Sequence, residues 1–160
     1  MTIELGDRIP AATVKHKTVE GIEEIDTGEL FAGKTVVMFG LPGAFTPTCS
    51  AKHLPGFVAR AGEIKAKGAD LIVCVSVNDA HVMEAWGRDQ NVGGKVMLLA
   101  DGNGDFTRAM GLEADFRAGG MGERSQRFAL IAEDGVVTHL AVEPVRGLDV
   151  SAAEKILEAL

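Results

Sequence analysis

Residues 34–50 read Lys34-Thr-Val-Val-Met-Phe-Gly40-Leu-Pro42-Gly-Ala-Phe-Thr46-Pro-Thr-Cys49-Ser50, an apolar strand, a turn and the start of a helix. The run 34–41 has the β-branched and aromatic content of a strand, and Gly40, Pro42 and Gly43 end it. Thr46 is a favoured N-cap, and Pro47 suits a first helical position, where an amide donor would find no partner. Beyond it Leu54, Phe57, Val58, Ala61 and Ile64 recur at three- and four-residue steps, which predicts a helix from Pro47 to about Lys67. Cys49 then falls at position N3, near unpaired backbone N–H groups and the positive end of the helix dipole.

Working outward, Leu71–Val77 is a continuous apolar run, as expected of a strand covered on both faces. Asn78 or Asp79 can cap a helix whose Val82, Met83 and Trp86 share one side. Lys95–Ala100 reads as another strand, Asp101–Gly104 as a turn and Phe106–Leu112 as a short helix. Phe128–Ala132 and Val136–Val142 flank Glu133-Asp134-Gly135, a hairpin signal. Ser151–Leu160 reads as a closing helix, with Ser151 as its cap and Glu154 three residues later. A β-α-β-α-β series followed by a hairpin and a helix predicts an α/β fold of thioredoxin-like layout. The expectation is one domain over residues 1–160, with a mixed central β-sheet flanked by helices.

Twenty-three acidic residues against 16 basic ones give a net charge of −7. That argues against nucleic-acid backbones and anionic membrane surfaces as partners. No segment reaches the ~18 apolar residues of a membrane span. The start, Met1–Asp7, has neither a basic region nor an apolar one, and two cysteines are too few for a disulfide scaffold. The expected location is cytoplasmic. His16, His53, His81 and His139 show no metal-ligand spacing, so no metal site is expected. Gly28-Glu-Leu-Phe-Ala-Gly33-Lys34-Thr35 fits a phosphate-binding loop pattern by letter, but it precedes its strand, the wrong order for that loop.

The chemistry concentrates on Cys49. A free thiol with a pKa of ~8.5 is only about 3% thiolate at pH 7, and full ionisation needs roughly 3.4 kcal/mol of stabilisation. A helix terminus supplies at most ~2 kcal/mol. A second donor, a cation, is required, and Arg117, Arg124 and Arg127 all carry the right charge. Cys74, inside Leu-Ile-Val-Cys-Val-Ser-Val, reads as a core thiol. His53 lies four residues after Cys49 on the same helix face and reads as a neighbour that tunes the pocket.

The string Pro42-Gly-Ala-Phe-Thr46-Pro-Thr-Cys49-Ser-Ala-Lys-His53-Leu-Pro-Gly-Phe57 resembles the active-site signature of the peroxiredoxins, and within them the type II subfamily. The likeness continues through Cys74–Asp79, Met83–Gly87, Ala100–Gly104 and Arg124–Leu130, and covers about residues 3–160. It implies a thiol peroxidase without metal or organic cofactor, acting on hydrogen peroxide and alkyl hydroperoxides. Cys49 would be the peroxidatic nucleophile and Thr46 would hydrogen-bond thiolate and peroxide. Pro42 would shield the site, and Arg127 would stabilise thiolate and transition state.

By the same resemblance Cys74 stands where type II enzymes carry a second cysteine proposed to resolve the sulfenic acid. The C-terminal resolving cysteine of a related branch has no counterpart, because Gly147–Ser151 contains no thiol. A direct Cys49–Cys74 bond would require the first helical turn to unwind. The expectation is therefore that glutathione/glutaredoxin, or thioredoxin, resolves Cys49 with that turn left folded. A homodimer is expected, with Trp86 and the Pro42–Phe45 turn as apolar contact surface. Two rival functions are a thiol–disulfide reductase and a redox sensor. The first is weakened by a threonine at position 46, where Cys-x-x-Cys would need its first thiol.

Overall fold

The strand read at 34–41 is β3 (Thr35–Gly40), near the middle of a seven-stranded sheet in a computed structural model that describes residues 1–160. Its side chains alternate between two cores. Val37 and Phe39 face one layer, and Val36 and Met38 face the other. Both layers are fully covered, which is why the segment reads as an unbroken apolar run. Gly40, its last residue, is required by close approach, because a Cβ there would run into the Phe128 ring.

Two helical crossovers of the chain build the parallel part of the sheet. From β3 the chain passes through α2 (Leu54–Ala66) to β4 (Leu71–Ser76), then through α3 (Ala80–Asp89) to β5 (Met97–Ala100). The pairs β3–β4 and β4–β5 are parallel. On the other flank of β3 lie β8 (Phe128–Glu133) and β9 (Val136–Val142), both antiparallel to their neighbours. Their two-residue turn, Asp134-Gly135, has φ of 49° and 77°, the doubly positive geometry that makes Asp-Gly a hairpin signal. The mixed sheet, covered by helices on both faces, is the predicted thioredoxin-like arrangement.

The sequence reading missed one edge. β1 (Thr13–Thr18) and β2 (Gly21–Asp26) pair antiparallel, and β1 joins the sheet beside β5, giving the order β2-β1-β5-β4-β3-β8-β9. These strands are largely exposed and carry Lys15, His16, Lys17, Glu23 and Glu24, so they lack an apolar pattern. The small pair β6 (Glu113–Asp115) and β7 (Glu123–Ser125), and the short helix α1 (Thr27–Phe31), were missed as well. The phosphate-loop look-alike covers α1 and the turn entering β3, so it opens no helix behind a strand.

Two capping assignments change. Asp79 caps α3 by accepting from Val82 N (2.9 Å), whereas Asn78 serves a different purpose described below. The closing helix α5 spans Ala153–Ala159, and Ser151 lies ahead of it without capping it. A carboxylate from the end of β9 has taken the Ser151 side chain instead.

Candidate active site

The helix predicted from Pro47 does begin there, and its first turn closes with Ser50 N donating to Thr46 O at 2.9 Å. Over Cys49–His53 the helix then widens by one residue into a π turn, with Leu54 N donating to Cys49 O. Such one-residue bulges mark functional positions in many helices. The Thr46 side chain departs from expectation. Its hydroxyl gives its single proton to Gly43 O (2.7 Å), so it neither caps the helix nor bonds Cys49. Its lone pairs stay available to accept from another donor.

The preceding turn is held from two directions. Ala44 N donates to Asn78 Oδ1 (3.0 Å), which also receives the Ser76 hydroxyl (2.6 Å). Arg124 donates from Nη1 to Pro42 O (3.1 Å) and from Nε to Met121 O (2.9 Å). Gly43 makes room for that guanidinium, since a Cβ would sit 2.5 Å from Arg124 Nη1. Trp86 Nε1 donates to Ser50 Oγ (3.0 Å) and ties α3 to the π turn. Phe45, at φ 63°, is an aromatic residue in the left-handed region, where bulky side chains are strained.

Among the three candidate arginines the structure brings one to the sulfur. Arg127 Nη2 lies 3.2 Å from Cys49 Sγ. Arg124 is spent on the Pro42 turn, and Arg117 pairs with Asp115 at the surface (3.4 Å). Arg127 Nη1 reaches His53 Nδ1 at 2.9 Å, and His53 Nε2 reaches Ser151 O at 3.1 Å. An arginine can only donate, so Nδ1 must accept, and the proton of His53 sits on Nε2 facing the Ser151 carbonyl. The imidazole is neutral. Burial first, and the Arg127 charge second, lower its pKa from 6.5 to about 3. Phe39 and Phe57, stacked at 4.0 Å, wall the ring in. His53 is thus more than a neighbour of the site, since it holds one arm of the arginine that holds the sulfur.

Pro42, Thr46 and Arg127 meet on the wall of a cleft of about 570 Å3, beside Phe116, Met121 and Val145. Cys49 lies beneath this wall and is itself 0% exposed. Cys74 stands opposite Phe39 and Leu98 on the central strand β4, fully buried. Burial above all, with Cys49 close by, pushes its thiol pKa well up. Both cysteines are free. The expectation for Trp86 as contact surface is overturned, because its ring is completely buried in the larger core. Phe45 and Val145, by contrast, are exposed on the same side of the molecule as the cleft.

The neutral His53 has a consequence for acid stability. An unfolded imidazole binds its proton near pH 6.5, the folded one only near pH 3. Between those values the unfolded chain holds more protons, so stability is full above pH 6.5 and falls as the pH drops toward 3. The loss attributable to this group is on the order of 5 kcal/mol once the pH reaches about 3. Urea unfolding at pH 7.5 and pH 4.5 should show it, and His53→Gln should flatten the dependence. An equally steep pH dependence in that variant would remove His53 as its cause.

The match with known proteins agrees with this geometry. Residues 4–157 match the family model described as Redoxin. Peroxiredoxin-2E, chloroplastic, of Arabidopsis thaliana is 47% identical over 163 residues, covering 99% of this chain and 70% of that protein. Peroxiredoxin-2B of the same plant is 46% identical, covering 99% and 98%. Among solved structures, reduced Prx3 of Vibrio vulnificus in complex with hydrogen peroxide superposes with a TM-score of 0.95 at 53% identity, covering 99% of each chain. With a thiol held by an arginine at the start of a helix, and likeness along its whole length, this chain belongs to the Redoxin family as a type II peroxiredoxin, a thiol-dependent peroxidase.

Proposed function

We propose that Cys49 is the peroxidatic cysteine of this enzyme, working in one domain with Arg127, Thr46 and Pro42 on hydrogen peroxide and alkyl hydroperoxides. The observation that carries the assignment is the 3.2 Å contact between Arg127 Nη2 and the fully buried Cys49 Sγ. The thiolate attacks one peroxide oxygen, an S–O bond forms as the O–O bond breaks, and the departing oxygen leaves as water or alcohol after taking a proton. Arg127 offsets the negative charge that moves from sulfur to oxygen. Thr46, its proton already given to Gly43 O, accepts from the peroxide O–H. The cleft, walled partly by Phe116, Met121 and Val145, has room for an alkyl chain.

For recycling we favour an external thiol, glutathione with glutaredoxin, over thioredoxin and over Cys74. The burial of Cys49 revises one premise of that preference. With no exposed surface, its sulfur meets no outside thiol while the turn stays folded, so both routes need the turn to open. Cys74 is disfavoured for a different reason. It is locked between β3 and β5 with its pKa raised, so it stays a protonated thiol and a poor nucleophile.

Phe45 and Val145, exposed beside the cleft, support a homodimer through that face. A reducing compartment such as the cytoplasm supplies the thiols. No helix of the chain is long and apolar enough to cross a membrane.

One preparation tests these proposals. Peroxide-dependent NADPH consumption should be faster with glutathione, glutaredoxin and glutathione reductase than with thioredoxin and its reductase. Cys74→Ser should keep most of that activity. After one equivalent of peroxide, mass spectrometry should find a sulfenic acid or glutathione adduct on Cys49. A dominant Cys49–Cys74 disulfide with stalled turnover in Cys74→Ser would overturn the external-thiol route. Light scattering should give twice the 16.8 kDa chain mass, and a lone monomer at tens of micromolar would remove the dimer.

A further inference from the structure

We infer that Glu143 is a positioning residue for the peroxidatic thiol, acting through Ser151, His53 and Arg127. This rests on the assignment of Cys49 above. Glu143 follows β9 directly, and its backbone N–H donates to Arg127 O at 2.9 Å, so it sits beside the arginine in the sheet. Its Oε2 accepts three hydrogen bonds, from Asp149 N (2.8 Å), Ser151 N (2.9 Å) and Ser151 Oγ (2.7 Å). The carboxylate therefore closes residues 143–151 into a loop clasped at its base.

Ser151 is completely buried, and Glu143 receives both its N–H and its O–H. Its remaining polar group, the carbonyl, accepts from His53 Nε2 at 3.1 Å. Ser151 precedes α5 and has no helical ladder to orient it. The clasp is what aims that carbonyl. The carbonyl in turn fixes the histidine tautomer, which leaves Nδ1 as an acceptor for Arg127, whose other arm meets the sulfur. Along this relay Glu143 thus lies four contacts from Cys49 without touching it.

The ionisation of Glu143 fits this use. Burial favours its neutral form, but the Ser151 hydroxyl and the amides of Asp149, Ser151 and Val150 outweigh it and lower its pKa. The same loop supplies Pro144, Val145 and Arg146 to the cleft wall.

The test compares Glu143→Ala and Glu143→Gln in the full chain, each in wild-type and His53→Ala backgrounds. The readouts are the rate of Cys49 alkylation by iodoacetamide at pH 7 and the second-order rate with hydrogen peroxide. Glu143→Ala should lower both by about tenfold. Glu143→Gln keeps an oxygen that can accept from Ser151, and should stay within about threefold of wild type. In the His53→Ala background Glu143→Ala should add less than about twofold, because the relay is already cut.

Full alkylation and peroxide rates in a folded Glu143→Ala protein would overturn the inference, as would a tenfold loss that persists in His53→Ala. Should Glu143→Ala fail to fold, Glu143→Asp replaces it, since its shorter carboxylate no longer reaches Ser151 in this geometry. Unchanged rates in that variant would overturn the inference equally. Failure of the Cys49 assignment is distinct, because peroxide would then be consumed in Cys49→Ser.

Discussion

Cys49→Ser is expected to lower peroxide turnover by roughly a thousandfold or more, down to the rate of the reductant alone. A serine hydroxyl at this position stays protonated at neutral pH and needs a base to attack an O–O bond. The nearest candidate base is already engaged, since His53 Nδ1 accepts from Arg127 and its pKa has fallen to about 3. No compensating activation is at hand. The substitution exchanges sulfur for a smaller oxygen inside a packed core, so far-UV circular dichroism should be unchanged. The coupled assay with glutathione and glutaredoxin gives the answer, and turnover within tenfold of wild type would end the assignment of Cys49.

The second large effect is expected for Arg127→Ala, at about a hundredfold in the peroxide rate, equivalent to roughly 2.7 kcal/mol of barrier. Two losses combine. The sulfur loses its charge-assisted donor at 3.2 Å, and hydrogen bonds of that kind contribute about 1.5–3 kcal/mol. His53 Nδ1 loses its donor while remaining buried, which adds about 1–3 kcal/mol of destabilisation to the fold. Arg127→Lys should recover only part of the rate, because an ammonium cannot reproduce the fork that serves Nδ1 with one arm and Sγ with the other. Stopped-flow oxidation of the reduced enzyme measures the effect. A folded Arg127→Ala protein reacting within threefold of wild type would show that the contact has no part in catalysis.

The core of the fold was legible in the sequence, and the reason lies in the doubly covered strands. Val36–Phe39 and Ile72–Val75 bury every side chain, so their apolar runs declare them without help from context. The Asp134-Gly135 turn declared itself through two positive φ angles that few other residue pairs accept. The strands 13–18 and 21–26, at one end of the sheet, leave most of their side chains exposed or half-buried, and nothing in their composition separates them from a polar loop.

The site was legible in its nucleophile and not in its wiring. Cys49 follows from a local signal, the Thr-Pro start of a helix. That Arg127 and not Arg124 meets the sulfur follows from chain pairing 78 residues away, which spacing does not encode, and only the family resemblance pointed to Arg127. Trp86 was misjudged for a related reason. A tryptophan on an amphipathic helix reads the same whether its face meets the core or a partner, and here its indole N–H finds Ser50 inside.

The widened turn at Cys49–His53 bears on how this site tolerates change in chain length. A regular helix advances about 100° per residue, and the widened turn spends one residue more on nearly the same rotation, so deleting a residue there would restore regular winding with the flanking helix nearly in register. The change would fall within the turn, where the path that sets Cys49 against Arg127 would be redrawn. Substitutions at the exposed Ala51 and Lys52 leave the residue count of the turn unchanged, whereas a lost codon cannot be offset by any side chain. Residue count in this stretch is therefore held by the geometry of the arginine just ahead of β8, and sequence change should be tolerated at Ala51 and Lys52 long before a change in length is.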